Sequence, residues 1–273
     1  MASFRAACVQ LRSSDDVSEN IATASALIRE AKKAGAGFIA TPENTTLMAP
    51  DGGAKLERSF SEERDPALPA FRALAEELGA WLLIGSLAIK VSDTKTANRS
   101  FLIDPKGKIA ARYDKIHLFD VDLPSGEKYR ESNTVEGGNR AVIAELPWAK
   151  LGMTICYDLR FPRLYRKLAK AGAQILTVPS AFTETTGKAH WHVLLRARAI
   201  ENGAFVIAPA QGGLHANGRR TYGHSLIVAP WGEILAEGGT DPGVIWADID
   251  MDAVADARGR VPSLTHDRDF EGP

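Results

Sequence analysis

The sequence predicts an α/β fold in which two mixed β-sheets form a layered sandwich with helices outside. Short apolar runs alternate with helical patterns along the whole chain, which is the signature of sheet-plus-helix architecture. Glycines at 35, 79, 172 and 203 each follow a helical pattern, as stop signals do. Two stretches, 98–113 around Asp104-Pro-Lys-Gly107 and 224–248 around Pro230-Trp-Gly232, read as hairpins, so antiparallel segments join the parallel ones.

Strands are expected over 5–10, 37–41, 81–88, 98–103, 141–145, 151–156, 175–179, 204–209, 224–228 and 244–248. Helices are expected over 16–35, 66–79, 163–172 and 188–203; in the first, Ile21, Ala24, Leu27, Ile28 and Ala31 fall on one face. No domain-scale linker, repeat or low-complexity tract interrupts residues 1–273, so one domain is expected. The segments 50–65, 120–138 and 211–222 are polar, charged or Gly-rich, and long loops of this kind often border sites.

With 273 residues, 45 % hydrophobic and 25 % charged, the chain has the composition of a globular protein able to bury a sizeable core. A formal net charge of −1 gives no reason to expect nucleic acid or an anionic membrane as partner. The N-terminal segment lacks a basic region followed by a long apolar core, and no run reaches the length of a membrane span, so a cytoplasmic location is expected. Two cysteines make no disulfide framework. Cys8, inside the apolar run Ala6-Ala-Cys-Val-Gln-Leu11, reads as a buried filler.

Cys156 differs. It lies in Met153-Thr-Ile-Cys-Tyr-Asp-Leu-Arg-Phe-Pro162, where an apolar run ends and a helix is due to begin. A thiol at such a turn stands clear of the sheet, near amides that favour a thiolate. Two other segments offer partners: Ala40-Thr-Pro-Glu43, and Tyr113-Asp-Lys-Ile-His-Leu-Phe119 with Lys115, each beside an expected strand end. Direct proton transfer from an ordinary thiol to an ordinary Glu is uphill by roughly 6 kcal/mol. Burial of Glu43 and an ammonium from Lys115 beside the thiolate are expected to close that gap. Lys115 and the Tyr157 amide would then receive the oxyanion of a thiolate–carbonyl adduct, with Glu43 moving protons.

On these residues the chain resembles the nitrilase superfamily of carbon–nitrogen hydrolases over nearly its full length. The resemblance implies a four-layer αββα sandwich and a catalytic triad of Glu43, Lys115 and Cys156. It places a supporting glutamate at Glu131, in Tyr129-Arg-Glu-Ser-Asn133. The segments Pro179-Ser-Ala-Phe-Thr-Glu-Thr-Thr-Gly-Lys-Ala-His-Trp191, Ala208-Pro-Ala-Gln-Gly-Gly213 and Tyr222-Gly-His-Ser225 resemble the branch of deaminated glutathione amidases and ω-amidases, leaning to the first. It implies a small carboxylate-bearing amide as substrate, ammonia from a primary amide, no cofactor and a homodimer or higher homo-oligomer. ω-Amidase, N-carbamoyl amide and nitrile hydrolysis on the same triad are alternatives; a non-catalytic scaffold is the remote one.

Arg160, Phe182, His190 and Trp191 are the candidate substrate-binding residues. His190 and His192 are two positions apart, unlike the three- or four-residue spacing of helical metal pairs, so no metal is expected. Gly223-His-Ser-Leu-Ile227 lacks the closing glycine of a serine nucleophile elbow, and Ser225 reads as structural. His117 reads as a group supporting the site rather than as an acid or base.

Overall fold

The computed structural model describes residues 3–123 and 126–272. Met1, Ala2, Pro273 and positions 124 and 125 of the expected 120–138 loop lie outside the described residues. The first sheet runs, neighbour to neighbour, Gly243–Asp250, Ser3–Gln10, Phe38–Ala40, Trp81–Lys90, Thr96–Ile103 and Ile109–Asp114, with Val135–Glu136 paired beside Thr96–Ile103. The second runs Ile234–Glu237, Leu226–Val228, Phe205–Ala208, Ile175–Thr177, Lys150–Met153 and Val142–Glu145. Each has a parallel centre and antiparallel edges.

The helices are α1 (Val17–Lys33), α2 (Gly52–Arg58), α3 (Ala67–Leu78), α4 (Pro162–Lys170), α5 (Glu184–Asn202) and α6 (Asp252–Arg260). Residue alternation explains the layers. In Ser3–Gln10, Ala7 and Val9 join Ile28 of α1 and Phe71 of α3 in one apolar cluster, while Ala6 and Cys8 join Val206 and Leu226 of the second sheet in another. A period of two thus gives one strand a helix-facing and a sheet-facing side. α4 and α5 cover the second sheet through Leu168, Trp191 and Leu195. The architecture is the αββα sandwich. Fully burying each large apolar side chain contributes about 1.5–3 kcal/mol, and truncating the fully buried Phe71 to Ala is expected to cost about 3–5 kcal/mol.

Several boundaries differ from the sequence reading for local reasons. The strand expected over 37–41 is Phe38–Ala40, because Pro42 has no N–H to extend the ladder. α5 starts at Glu184 rather than 188: the Thr183 hydroxyl caps it, and Gly187, a poor helix former, leaves room for Tyr222. A Cβ on Gly187 would lie 2.3 Å from the Tyr222 Cβ. The segment 50–65 is not all loop. The Asp51 carboxylate accepts the Ala54 N–H at 2.9 Å and starts α2 despite its two leading glycines. Short hairpins occupy Asp120–Asp122 with Lys128–Arg130, and Gly212–Leu214 with Arg220–Tyr222.

Candidate active site

Three chain turns, from both sheets, meet at one end of the sandwich. Glu43 follows the strand Phe38–Ala40, Lys115 follows Ile109–Asp114, and Cys156 follows Lys150–Met153. At the first turn the Gln211 amide donates to the carbonyls of Glu43 and Asn44 at 3.1 and 3.2 Å. Gly85 permits the close packing there: a Cβ on it would fall 1.8 Å from the Thr41 carbonyl oxygen and 2.5 Å from Pro179.

Cys156 has φ 47°, the left-handed region that a non-glycine residue seldom adopts. Its N–H donates to the Pro179 carbonyl at 2.9 Å. It opens a short 3₁₀ turn, Cys156–Arg160, and the α-helix follows only at Pro162. Asp158, fully buried, pins that turn. One carboxylate oxygen accepts the Ile155 N–H at 2.9 Å and the Tyr113 hydroxyl at 2.7 Å. The other accepts the His117 N–H at 3.0 Å and lies 2.7 Å from its Nδ1. Since Tyr113 and His117 flank Lys115, one carboxylate sets the Cys156 turn against the Lys115 turn. His117 also stacks on Phe161, with ring centroids 3.6 Å apart.

The Lys115 ammonium donates to Glu43 Oε1 at 2.9 Å and to Glu131 Oε1 and Oε2 at 3.2 and 2.8 Å. Asn98 Nδ2 donates to the same two carboxylates at 2.9 and 3.2 Å. Glu43 Oε2 accepts the Ala181 N–H at 2.9 Å, and Glu131 Oε2 accepts the Phe119 N–H at 2.7 Å. The thiol of Cys156 is the further partner of the Glu43 carboxylate. The arrangement is a neutral thiol beside a carboxylate whose opposite charge is a buried ammonium.

The electrostatics follow. Burial alone would raise the Glu43 carboxyl, but Lys115 outweighs it and holds the group down to about 2. Burial pushes the Cys156 thiol well up, Glu43 adds to this, and Lys115 offsets only part. Burial works against the Lys115 ammonium, yet Glu131 and Glu43 carry it well above the ordinary lysine value. The expectation that burial would raise Glu43 towards the thiol is therefore corrected. The ammonium sits on the carboxylate, and in the resting site the gap is wider, not narrower.

A cavity of about 460 Å³ opens on these groups. Glu43, Lys115, Glu131, Cys156, Tyr157 and Phe182 all line it. Arg160, His190 and Trp191 do not. The Arg160 guanidinium lies 5.4 and 5.9 Å from the Phe182 and Tyr157 rings and 3.3 Å from His190 Nδ1. Trp191 is fully buried against Phe182 and donates its indole N–H to the His224 carbonyl at 2.8 Å. His190 is exposed on α5.

The sequence reading missed Asn98, Asp158, Lys55 and Arg219. Asn98 stands among the polar Thr96, Arg99 and Ser100 at the start of the strand Thr96–Ile103, where nothing in the sequence sets it apart. Lys55 and Arg219, which line the cavity, come from segments flagged only as bordering loops. Lys55 Nζ donates to Asn44 Oδ1 at 2.8 Å, and burial lowers its affinity for a proton. Arg219 donates to the Ala181 carbonyl at 2.7 Å, with its guanidinium 5.3 Å from the Tyr129 ring centre.

A carbon-nitrogen hydrolase family model matches residues 5–259. The chain belongs to this family. It is 42 % identical over 271 residues to a deaminated glutathione amidase of Synechocystis, covering 97 % of this chain and 98 % of the relative. Against the human deaminated glutathione amidase it is 40 % identical over 267 residues, covering 96 % and 81 %. Among solved structures, the NitFhit protein of C. elegans superposes with a TM-score of 0.92 at 34 % identity, over 98 % of this chain and 66 % of the worm chain. Nit3 of Saccharomyces cerevisiae, described as a member of branch 10 of the nitrilase superfamily, gives 0.85 at 28 % identity, over 95 % and 94 %. The activity class is hydrolysis of non-peptide carbon–nitrogen bonds, that of an amidase.

Proposed function

We propose that the cavity hydrolyses a small amide carrying a carboxylate, with deaminated glutathione as the first substrate, through a Cys156 thioester. The observation carrying this is the convergence of Glu43, Lys115 and Cys156 on one cavity that also presents Lys55 and Arg219. Half-buried basic side chains at the cavity wall suit a substrate carboxylate. The chain's likeness to deaminated glutathione amidases supplies the choice among such amides.

The resting charges indicate how the first step runs. Cys156 Sγ bonds to the amide carbon as its proton passes to Glu43, and the carbonyl becomes an oxyanion. Lys115 and the Tyr157 N–H receive that oxyanion. As Lys115 turns towards it, its hold on Glu43 weakens, so Glu43 becomes a better base as the proton arrives. Collapse breaks the C–N bond while Glu43 protonates the departing nitrogen. Water then attacks the thioester and gives its proton to Glu43, and the second collapse releases the carboxylic acid and returns the thiol. Glu131 holds Lys115 throughout.

The nitrogen product depends on the substrate. A primary amide such as α-ketoglutaramate yields ammonia, whereas in deaminated glutathione the scissile nitrogen belongs to cysteinylglycine, so that dipeptide leaves. Parent and Cys156→Ala proteins are to be compared on deaminated glutathione, α-ketoglutaramate, an N-carbamoyl amino acid and a nitrile. Release of cysteinylglycine by the parent alone is the expected outcome. Turnover surviving in Cys156→Ala refutes the nucleophile, and turnover of only another substrate refutes the substrate.

The reading extends to a cytoplasmic homo-oligomer. On the outer side of α5, Val193 and Ile200 are exposed, and Trp231, Ile234 and Leu235 are exposed on and after the turn that packs against Ile200. Exposed apolar side chains grouped around Ile200 and Gly232 suit a second copy, which light scattering tests.

A further inference from the structure

Outside the cavity, three side chains distant in sequence converge. His192 Nε2 and His224 Nδ1 each lie 2.9 Å from the same oxygen, Glu237 Oε1. All three ligand-type atoms fall within 4.8 Å of one another. We propose that His192, His224 and Glu237 bind one first-row divalent cation of the Zn²⁺ type, at a site that takes no part in the amide chemistry.

The donor set is the first argument. Two imidazoles and a carboxylate suit zinc and its neighbours, which complete their shell with water. Bonds of about 2.0–2.2 Å at tetrahedral angles place ligand atoms about 3.3 Å apart. The present nitrogen–oxygen separations therefore need to widen by only a few tenths of an ångström. Each neutral imidazole offers its lone pair by carrying its proton on the other ring nitrogen. The carboxylate supplies the single negative charge. Side-chain exposures of 29, 26 and 37 % leave room for water to complete the shell.

Preorganisation is the second. The His224 N–H donates to the Gly239 carbonyl at 2.8 Å, and the Gly238 N–H to the Ser225 carbonyl at 2.9 Å, which fixes the backbone around His224 against that around Glu237. Trp191, next to His192, donates to the His224 carbonyl and ties α5 to the same turn. His224 takes φ 54°, and its ring stacks on Tyr222 at 4.4 Å with 27° between planes. His192 meets both rings edge-on. Three chain segments thus hold the donors in place before any ion arrives. The edge-on contact of His192 with Tyr222 joins α5 to the strand Arg220–Tyr222, beside the cavity's Arg219.

The test uses chelator-stripped full-length protein. Calorimetry with Zn²⁺ is expected to show one ion per chain in the parent, with affinity reduced at least ~10-fold in His192→Asn and in Glu237→Gln, the scale on which losing even an outer partner acts. Zn²⁺ is also expected to raise the melting temperature of the parent but not of the variants, since the ion binds the folded arrangement. Co²⁺ absorption reads the ligands in the parent itself, independently of whether the variants fold. Bands of a nitrogen–oxygen site support the assignment, whereas a sulfur charge-transfer band places the ion on a cysteine and overturns it. No saturable uptake, or uptake unchanged in both variants, overturns it as well.

Discussion

Cys8 and Cys156 are both buried, and burial pushes both thiols up. Their surroundings separate them. Cys8 lies inside Ser3–Gln10, between neighbouring strands, with its sulfur 3.9 Å from the Leu226 carbonyl and apolar residues beyond. Cys156 lies past a strand end, in left-handed backbone, with a carboxylate and an ammonium beside it and a cavity in front. A thiol's burial or raised proton affinity therefore says nothing about catalysis by itself. Under the proposed mechanism, the turn that opens Cys156 to the cavity and the charge pair beside it make the difference.

The sharpest way to break this comparison is to remove each sulfur in turn. Cys156→Ala is expected to lower kcat/KM by at least about 10³-fold. Cys8→Ala is expected to leave turnover within about twofold and cost about 1 kcal/mol of stability. Steady-state kinetics with urea melts checks both, and comparable kinetic losses would sink the distinction.

Lys115 comes next. Lys115→Met is expected to remove an oxyanion donor, about 10²–10³-fold in kcat. It also strands the buried Glu43 and Glu131, lowering stability by about 3–5 kcal/mol. An unchanged urea midpoint would show that the carboxylates do not depend on it.

Smaller effects belong to the cavity rim. Arg219→Ala or Lys55→Ala is expected to raise KM for a carboxylate-bearing amide by roughly 10-fold or more, the scale of one charged hydrogen bond. The rate on an uncharged amide should stay put. Equal losses on both substrates would indicate a structural role instead.

A further effect is on pH dependence. Lys115 holds Glu43 at about 2, below the ordinary 4.5, so the folded state binds this proton more weakly than the unfolded state. The stability gained is complete above about 4.5 and is lost as pH falls through that value towards about 2. Between pH 6 and 3 the parent's urea midpoint should fall more steeply than that of Glu43→Gln. Parallel slopes would contradict the coupling to Lys115.

Sequence alone determined the layered α/β architecture, because strand alternation and helix stops are local patterns. It also determined which ionisable groups stand at strand ends, since Glu43, Lys115 and Cys156 each sit in a short segment with a distinctive turn. Only the tertiary structure decided which charge rests on which group. The Lys115 ammonium lies between Glu43 and Glu131, and Coulomb energy depends on distances across turns that sequence separation does not encode. For the same reason Asn98 and Asp158 emerged as positioning residues only in three dimensions, while Arg160, His190 and Trp191 proved to lie off the cavity lining. His192 likewise met partners 32 and 45 residues away that no helical spacing predicts.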